Sequence, residues 1–356
     1  MDSGIVRVDL DALARNYHRI RAAADAAECG AVVKANAYGL GLKPVATRLA
    51  REGCRRFFVA TSNEGLELRR YLPEAAVYVF EGLPEGSETE FVQARLTPVL
   101  NTLEQIARWR PSGRPAAVHI DTGMNRLGLG PADVAQLTAN PDLLAGFELD
   151  CVMTHLACAD EPAHELNARQ LARFESAIAK LPAARGSIAN SAGVFLGPGY
   201  CADLVRPGIG LYGGNPFVAQ ASPVEPVVTL EARILQLRSI DEPAFVGYGA
   251  TYRAQPPARL AVLGLGYADG YPRSLSNRGS ASVAGKRVPV VGRVSMDLVC
   301  LDVTEIDPEA IAVGQFVQLF GDAISIDDVA AAAGTISYEL LTGLSRRLRR
   351  EYIGVE

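Results

Sequence analysis

Short apolar segments alternate with amphipathic patterns from the start of the chain to about residue 211. Eight apolar segments have the composition of buried strands: residues 30–34, 56–60, 76–80, 97–100, 116–121, 146–155, 187–190 and 204–207. Helical patterns lie between most of them, at residues 44–52, 64–71, 103–108, 131–138 and 164–181. Strands separated by helices pair in parallel, and eight of them favour a closed ring over an open sheet. The pattern therefore predicts an α/β fold with a (β/α)₈ barrel over residues 10–222.

The pattern changes after residue 211, where glycine and proline clusters mark a boundary. Five strand-like segments follow, at residues 228–240, 259–265, 288–291, 298–303 and 316–320. They predict a second domain over residues 223–356 that is mainly antiparallel β. Two helices are predicted to follow them, at residues 326–333 and 338–350, and the basic run 346–350 is expected at the C-terminal end of the second helix.

Composition narrows the classes of partner. The 356 residues are 49% hydrophobic and 21% charged, which is enough apolar material for a full core. A net charge of -5 argues against nucleic acid or a membrane surface as the main partner. Six scattered cysteines and four histidines provide no metal-ligand spacing, so we expect no metal and reduced thiols. The first residues lack a signal-peptide pattern, and we expect a cytoplasmic protein.

Polar side chains cluster at the ends of the predicted barrel strands, where barrels of this type carry their chemistry. Five strand ends contribute: Lys34, Asn36 and Tyr38; Asp121 to Gly128, with Arg126; His155, with Asp160 beyond it; Asn190 and Ser191; and Arg206, Gly208 and Ile209. Each has a simple structural explanation alone. Lys34 suits a lysine that extends from a strand end to water, His155 a core histidine, and Asn190 and Ser191 a helix cap.

Taken together, these strand ends suit one cofactor. Burial lowers the pKa of a lysine such as Lys34 and makes its amine available for Schiff-base chemistry. The last two strand ends offer backbone N–H groups, a serine hydroxyl and a helix N-terminus, which is how such barrels commonly hold a phosphate. An amine and a phosphate site on one rim predict pyridoxal 5'-phosphate. No aspartate is well placed for its pyridine nitrogen, whereas Arg206 is.

Nine motifs extend this interpretation to nearly the whole chain. They are VKANAYG at 33–39, DTGMNRLG at 121–128, MTH at 153–155, NS at 190–191, RPGI at 206–209, GYGATY at 247–252, GYADGY at 266–271, GRVSMD at 292–297 and ISYE at 336–339. In content and order they resemble the alanine racemases, which are fold-type III pyridoxal-phosphate enzymes. The resemblance implies a TIM-type barrel, and it implies that the isolated first strand, within residues 1–9, packs with the C-terminal domain.

The resemblance also implies how the cofactor is held. Lys34 would bind it and act as one acid–base group at the substrate Cα. Tyr248 of the partner subunit would be the second, on the opposite face. Arg206 would hydrogen-bond the pyridine nitrogen, with His155 beside the ring. The other expected cofactor contacts, mostly to the phosphate, are Tyr38, Asn190, Ser191, Gly208, Ile209 and Tyr338.

Substrate binding would be shared between two chains. Arg126 and the main-chain N–H of the partner's Met296 would receive the carboxylate of L- or D-alanine, and the neighbouring Asp297 is also assigned to substrate binding. Asp160 and the partner's Tyr267 would line a narrow entrance. These roles imply a homodimer with shared sites, which would supply D-alanine for peptidoglycan or degrade L-alanine.

One position departs from the family pattern. Where His119 stands, the family commonly has a lysine that is carbamylated in many members and orients the arginine equivalent to Arg126. Histidine forms no stable carbamate, so we expect His119 itself, a bound anion or a water molecule to position Arg126. Three alternative functions remain at this point: a racemase of another small amino acid such as serine, a decarboxylase of the same fold type, and a non-catalytic pyridoxal-phosphate-binding protein.

Overall fold

The structure is a computed structural model that describes residues 3–354. The strands are β1 (Gly4–Asp9), β2 (Glu28–Cys29), β3 (Ala31–Val32), β4 (Arg56–Val59), β5 (Ala76–Val79), β6 (Leu96–Leu100), β7 (Ala116–His119), β8 (Leu149–Met153), β9 (Arg185–Ser187), β10 (Leu204–Val205), β11 (Val228–Ile240), β12 (Ala244–Val246), β13 (Tyr252–Ala254), β14 (Ala258–Leu263), β15 (Ser280–Val283), β16 (Lys286–Pro289), β17 (Val299–Asp302), β18 (Phe316–Phe320) and β19 (Arg349–Ile353). The helices are α1 (Leu10–Ala23), α2 (Lys34–Tyr38), α3 (Leu42–Arg51), α4 (Ser62–Tyr71), α5 (Glu88–Gln93), α6 (Leu103–Trp109), α7 (Pro131–Ala139), α8 (Glu165–Ile178), α9 (Pro198–Cys201), α10 (Ile326–Ala333) and α11 (Ser337–Gly343).

The described residues form two compact units. The barrel unit comprises residues 13–211 and 215–224. The C-terminal unit comprises the rest of the described chain, namely residues 3–12, 212–214 and 225–354. The expected boundary between residues 222 and 223 stays a prediction.

Eight parallel strands build the barrel. Strands β3 to β9 pair in chain order as one parallel sheet. The first barrel strand consists of β2 and β3, which only Gly30 separates, and β10 pairs in parallel with its β2 part. Backbone hydrogen bonds close the ring on both sides of β10, from Arg206 N to Ala189 O (2.9 Å) and from Val32 N to Pro207 O (2.9 Å). The predicted (β/α)₈ barrel is therefore confirmed.

The sequence explains the barrel's elements. Strand residues such as Phe57, Val77 and Val118 are fully buried, as expected for strands that are covered on both faces. The helices that follow start at hydroxyl caps where the chain leaves a strand: Thr61 caps α4 and Thr102 caps α6. All eight predicted barrel strands are present.

An eight-stranded, mostly antiparallel sheet dominates the C-terminal unit, as predicted. The N-terminal strand β1 lies inside this sheet, antiparallel to β11 and parallel to β19. Valines Val6 and Val8 are fully buried in it. Within residues 3–354, none of the helices is both long enough and apolar enough to cross a membrane.

The predicted helix over 338–350 is wrong in its second half. Helix α11 ends at Gly343, and the basic run leads into β19, which pairs with β1. Glycine weakens a helix at this point, and Arg350 donates instead to the carbonyl oxygens of Leu344, Ser345 and Leu348 (3.0–3.2 Å). In the basic run, Arg350 therefore stabilises a turn, and the run does not form the end of a helix.

Candidate active site

Lys34 is the first residue of α2, a short segment just after β3 whose other residues form a left-handed turn. The next four residues, Ala35 to Tyr38, have φ angles of 53°, 55°, 52° and 55°. None of them is glycine, and each left-handed L-residue costs roughly 1–2 kcal/mol. The turn is held from outside: Ala35 N donates to Glu64 Oε1 (2.6 Å), and Leu42 N donates to Asn36 Oδ1 (2.7 Å). A strained backbone held in this way is typical of functional sites.

The environment of Lys34 lowers the pKa of its amine. Burial lowers its pKa most, and the Arg126 cation lowers it further, while the Glu64 carboxylate raises it. A lowered pKa leaves more of the amine unprotonated and nucleophilic near neutral pH.

Two hydroxyl groups and a glycine-containing backbone segment meet beyond the ends of β9 and β10. Ser191 Oγ accepts hydrogen bonds from Gly208 N (2.8 Å) and Gly210 N (3.2 Å). With its lone pairs engaged, the hydroxyl is left to act as a donor. A Cβ on Gly208 would clash with the Tyr38 hydroxyl, so this glycine is what allows the tyrosine to approach. Two hydroxyls beside a glycine backbone suit a phosphate, and the one-turn helix Ile209–Tyr212 follows directly.

Arg206 is a buried cation held by neutral acceptors. Its guanidinium donates to the Ser187 hydroxyl and to Thr154 O (2.6 Å), and the residue is 3% exposed. Burial lowers its pKa to about 10, so it remains charged at neutral pH. These bonds fix the plane of the guanidinium at the barrel rim.

Two histidines beside these cations are neutral. Burial lowers the pKa of His155 well below its usual range, and the charges of Arg206 and Arg126 lower it further. The same causes lower the pKa of His119 to about 4, although Asp121 opposes the shift.

Asn101 fixes the proton of His119. The Asn101 amide nitrogen donates to Phe80 O (3.1 Å) and Val99 O (2.8 Å), so its Oδ1 faces His119 Nδ1 at 2.9 Å. An amide oxygen only accepts, and therefore Nδ1 carries the proton and Nε2 is an acceptor. Gly128, two residues beyond Arg126, lies against this ring, since a Cβ there would be 3.1 Å from it.

Asp121 shapes the loop that carries Arg126. Its carboxylate accepts from the backbone N–H groups of Gly123 (2.9 Å), Met124 (2.8 Å) and Asn125 (2.9 Å). Arg126 itself is exposed. Asp121 lies within the motif at 121–128, and its role was not predicted from the sequence.

Gln170 is a further residue of the site, and it was not predicted from the sequence. From the buried face of α8 its amide donates to Thr122 Oγ1 (3.1 Å) and His155 O (2.8 Å) and accepts from Ala157 N (2.9 Å). Thr122 Oγ1 in turn lies 2.7 Å from Thr154 Oγ1. This network ties the Arg126 loop to the strand end that holds Arg206. The sequence feature that could have indicated Gln170 is an amide side chain at a helix position that faces the core.

The C-terminal unit carries the other predicted site residues. Tyr248, Tyr267 and Met296 are 73%, 42% and 53% exposed. A cavity of about 300 Å³ is lined by Tyr248, Tyr267, Arg273, Arg293, Val294 and Ser295. Tyr338 is the second residue of α11 and is 38% exposed.

A tight turn supports the Met296 loop. Tyr267 N donates to Ser295 O and Ala268 N to Met296 O, both at 3.0 Å. A Cβ on Gly266 would clash with both of these carbonyl oxygens. Arg347 pairs with Asp297 (2.8 Å) at the other side of the loop.

The barrel unit thus gathers one set of predicted residues at its strand ends: Lys34, Tyr38, Arg126, His155, Asn190, Ser191, Arg206, Gly208 and Ile209. Asn190 serves there as an acceptor for Gly193 N (2.9 Å). Asp160 is exposed further along the loop after β8. The second set, in the C-terminal unit, is Tyr248, Tyr267, Met296, Asp297 and Tyr338. In the described part of the chain, no three His, Cys, Asp or Glu side chains are grouped to hold a metal ion.

Comparison with known proteins identifies the family. Residues 8–216 match the alanine racemase N-terminal domain and residues 227–352 the alanine racemase C-terminal domain. An alanine racemase of Rhodospirillum rubrum is 50% identical over 99% of this chain and 96% of that protein. A catabolic alanine racemase of Agrobacterium fabrum is 48% identical over 99% of this chain and 92% of that one. The crystal structure of a Bartonella henselae alanine racemase with covalently bound pyridoxal phosphate matches with a TM-score of 0.94 and 38% identity, covering 99% of this chain and all of that one (100%). The chain belongs to the alanine racemase family.

Proposed function

We propose that this protein is an alanine racemase that uses pyridoxal 5'-phosphate to interconvert L- and D-alanine. The observation that carries the proposal is Lys34, whose amine has a lowered pKa and stands on the same barrel rim as Arg206 and the hydrogen bond between Gly208 and Ser191. Lys34 would hold such a cofactor through its aldehyde, and the electron-withdrawing ring of the cofactor would make the Cα proton of a bound substrate acidic.

The rim fits this cofactor. Tyr38, Ser191, Gly208 and Ile209, with Tyr338, would hold the phosphate, and the outward donor role of the Ser191 hydroxyl supports this assignment. Arg206 would donate to the pyridine nitrogen. A guanidinium with a pKa of about 10 keeps its proton at neutral pH, so it would hold the nitrogen without protonating it. Such an arrangement limits competing reactions that need a stronger electron sink.

Racemisation needs one acid–base group on each face of the substrate Cα. Lys34 would hold or release the proton on one face, and Tyr248 of the partner subunit on the other. The exposure of Tyr248 (73%) and of nearby Phe245 (65%) supports a surface that a second copy of the chain covers. We therefore propose a homodimer with shared sites.

Substrate contacts follow from the same arrangement. Arg126 and the main-chain N–H of the partner's Met296 would bind the alanine carboxylate, and Asp297 would support that loop. Asp160 and the partner's Tyr267 would narrow the entrance to the site. The relatives include proteins named as biosynthetic and as catabolic, and both roles suit the proposal. All six cysteines are free thiols, and we place the enzyme in the cytoplasm.

The cofactor assignment is tested by Lys34→Ala, with Lys43→Ala as the matched control on an exposed lysine of α3. Purified wild type and Lys43→Ala should show the visible absorption band of lysine-bound cofactor, whereas Lys34→Ala should lose both this band and racemase activity. A band that survives in Lys34→Ala would disprove the assignment.

The two-base scheme is tested by Tyr248→Phe, with Tyr252→Phe as its control. Tyr252 lies in the same unit and donates to Asp302 (3.1 Å). Tyr248→Phe should keep the cofactor band and lose turnover, and in D₂O it should exchange the α-proton of one enantiomer only. Equal exchange of both enantiomers would contradict the scheme.

A chiral assay on a panel of L-amino acids identifies the substrate. A higher kcat/KM for serine than for alanine would favour a serine racemase.

A further inference from the structure

The carboxylate of Glu64 connects two neighbouring strand ends of the barrel. Glu64 belongs to the capping box that starts α4, and its Oε2 accepts from Ala60 N (2.8 Å), just after β4. Its Oε1 accepts from Ala35 N (2.6 Å), on the adjacent strand end. In an ordinary capping box the glutamate returns only to its own N-cap residue. Here Oε2 accepts a hydrogen bond at the start of α4, whereas Oε1 accepts one from a backbone N–H group outside that helix.

The amide that Glu64 holds is the one next to Lys34. Ala35 is the first of the four left-handed residues, and its amide direction sets how the turn leaves β3. Left-handed backbone is unfavourable for each of these residues. An acceptor that fixes the first amide therefore stabilises the whole turn, from which the Lys34 side chain projects.

A second helix of the same barrel shows what capping alone requires. Thr102 caps α6 as Thr61 caps α4, and Gln105 occupies the position equivalent to Glu64. Gln105 Oε1 accepts from the strand-end amide of Asn101 (2.7 Å), as Glu64 does from Ala60. A neutral amide is sufficient for that bond. The additional acceptor oxygen of Glu64 is used on the side of Lys34.

We propose that Glu64 is a positioning residue for Lys34: by binding Ala35 N–H, its carboxylate fixes the left-handed turn and so the direction from which the lysine amine reaches the cofactor. The inference rests on the proposed function, because it concerns the lysine that would carry the cofactor. The Glu64 charge also opposes the lowering of the Lys34 pKa by burial and Arg126, so one group affects both the direction and the charge of the amine.

Glu64→Gln tests the proposal on purified holoenzyme. The glutamine keeps an oxygen for Ala60, as Gln105 does for Asn101, but meets the Ala35 N–H with an NH₂ group or with nothing. Thr61→Ala is the control, because it removes the other half of the same cap (Glu64 N to Thr61 Oγ1, 3.4 Å) and leaves Ala35 bonded.

Three readouts are expected to change in Glu64→Gln and to stay near wild type in Thr61→Ala. Amide hydrogen exchange in peptides covering residues 33–41 should be about tenfold faster. The visible circular dichroism of the bound cofactor should fall relative to its absorbance. The kcat for alanine should fall about tenfold with KM within about twofold, since misplacement of a reacting group mainly affects turnover.

The outcomes separate this inference from the proposed function. A wild-type protein without a cofactor band or racemase activity would overturn the proposed function. A wild type with both, and a Glu64→Gln protein with wild-type exchange at 33–41 and wild-type dichroism, would overturn the inference alone. Should Glu64→Gln not fold, Glu64→Asp keeps the charge but shortens the reach, and it should loosen the same peptides.

Discussion

At the scale of single residues, the neutral state of His119 is set by its surroundings rather than by its own chemistry. Burial and two arginines lower its pKa, and Asn101 chooses which nitrogen holds the proton. The sequence identified His119 as a departure from the family pattern. It did not reveal the tautomer, because Asn101 lies 18 positions away and its orientation depends on two carbonyl groups of neighbouring strands.

His119 should make stability sensitive to mild acid. Its pKa is about 4 when folded and about 6.5 when unfolded. The unfolded chain therefore takes up the proton first, and stability present at neutral pH is lost as pH falls below 6.5. Between pH 7 and pH 5, wild type should lose about 2 kcal/mol more unfolding free energy than His119→Asn. Urea unfolding at both pH values measures this, and equal losses in the two proteins would refute it.

At the scale of elements, helix α8 acts through one buried amide. Gln170 satisfies polar groups on two loops, one after β7 and one after β8. Periodicity predicted the helix well, since the apolar stripe dictates where it packs. It cannot tell which groups a buried amide will meet, because these come from loops whose conformation depends on the closed barrel.

Gln170→Leu should destabilise the protein by about 3 kcal/mol, because the change leaves Ala157 N–H and other buried groups without their partner. Gln136→Leu, on the exposed face of α7, should change stability by less than about 0.5 kcal/mol. Chemical denaturation of both variants provides the comparison. A Gln170→Leu protein as stable as the control would show that the network contributes nothing.

The turn at Gly266 is a second element with a defined spatial limit. Any side chain there would clash with the Ser295 and Met296 carbonyls. Gly266→Ala should displace the Met296 loop and raise the KM for alanine about tenfold or more, since the partner's Met296 is proposed to bind the carboxylate. Gly343→Ala, where a Cβ would have nothing within 4 Å, should leave KM unchanged. Steady-state kinetics would contradict the prediction if both variants behaved alike.

Most strands and several helices followed from the sequence pattern, but the left-handed turn after Lys34 did not. Glycine normally marks positive φ, and Ala35 to Tyr38 contain none. The sequence also did not indicate where α11 ends. The basic run suits a helix terminus as well as a turn, and only the pairing of β19 with β1 decides between them.

At the scale of the whole molecule, the predicted site residues divide between two units, each with its own core. The motifs identified both sets because each stands in a recognisable stretch of sequence. We propose that they meet across a dimer for a chemical reason: a group on each face of one carbon is needed, and the barrel unit offers Lys34 for one face.

Mixing inactive chains tests this division. Lys34→Ala and Tyr248→Phe homodimers should each be inactive. Heterodimers formed by refolding the two together should have one site with both groups intact, and therefore up to about half of the wild-type activity per dimer. Activity is measured after separating heterodimers by affinity tags. Heterodimers as inactive as the parents would indicate that each site uses Lys34 and Tyr248 from the same chain.

The position of β1 has a consequence for how the chain is made. Residues 4–9 are synthesised before both strands with which they pair, β11 and β19, and β19 ends at residue 353. At about 5–20 residues per second, the ribosome needs roughly a quarter of a minute to a minute to add β19 after β1. During that time the apolar strand has at least one unpaired edge, which is a template for aggregation. Slower synthesis of the chain would lengthen this exposure. The C-terminal sheet, unlike the barrel, cannot be completed before residue 353 has been added.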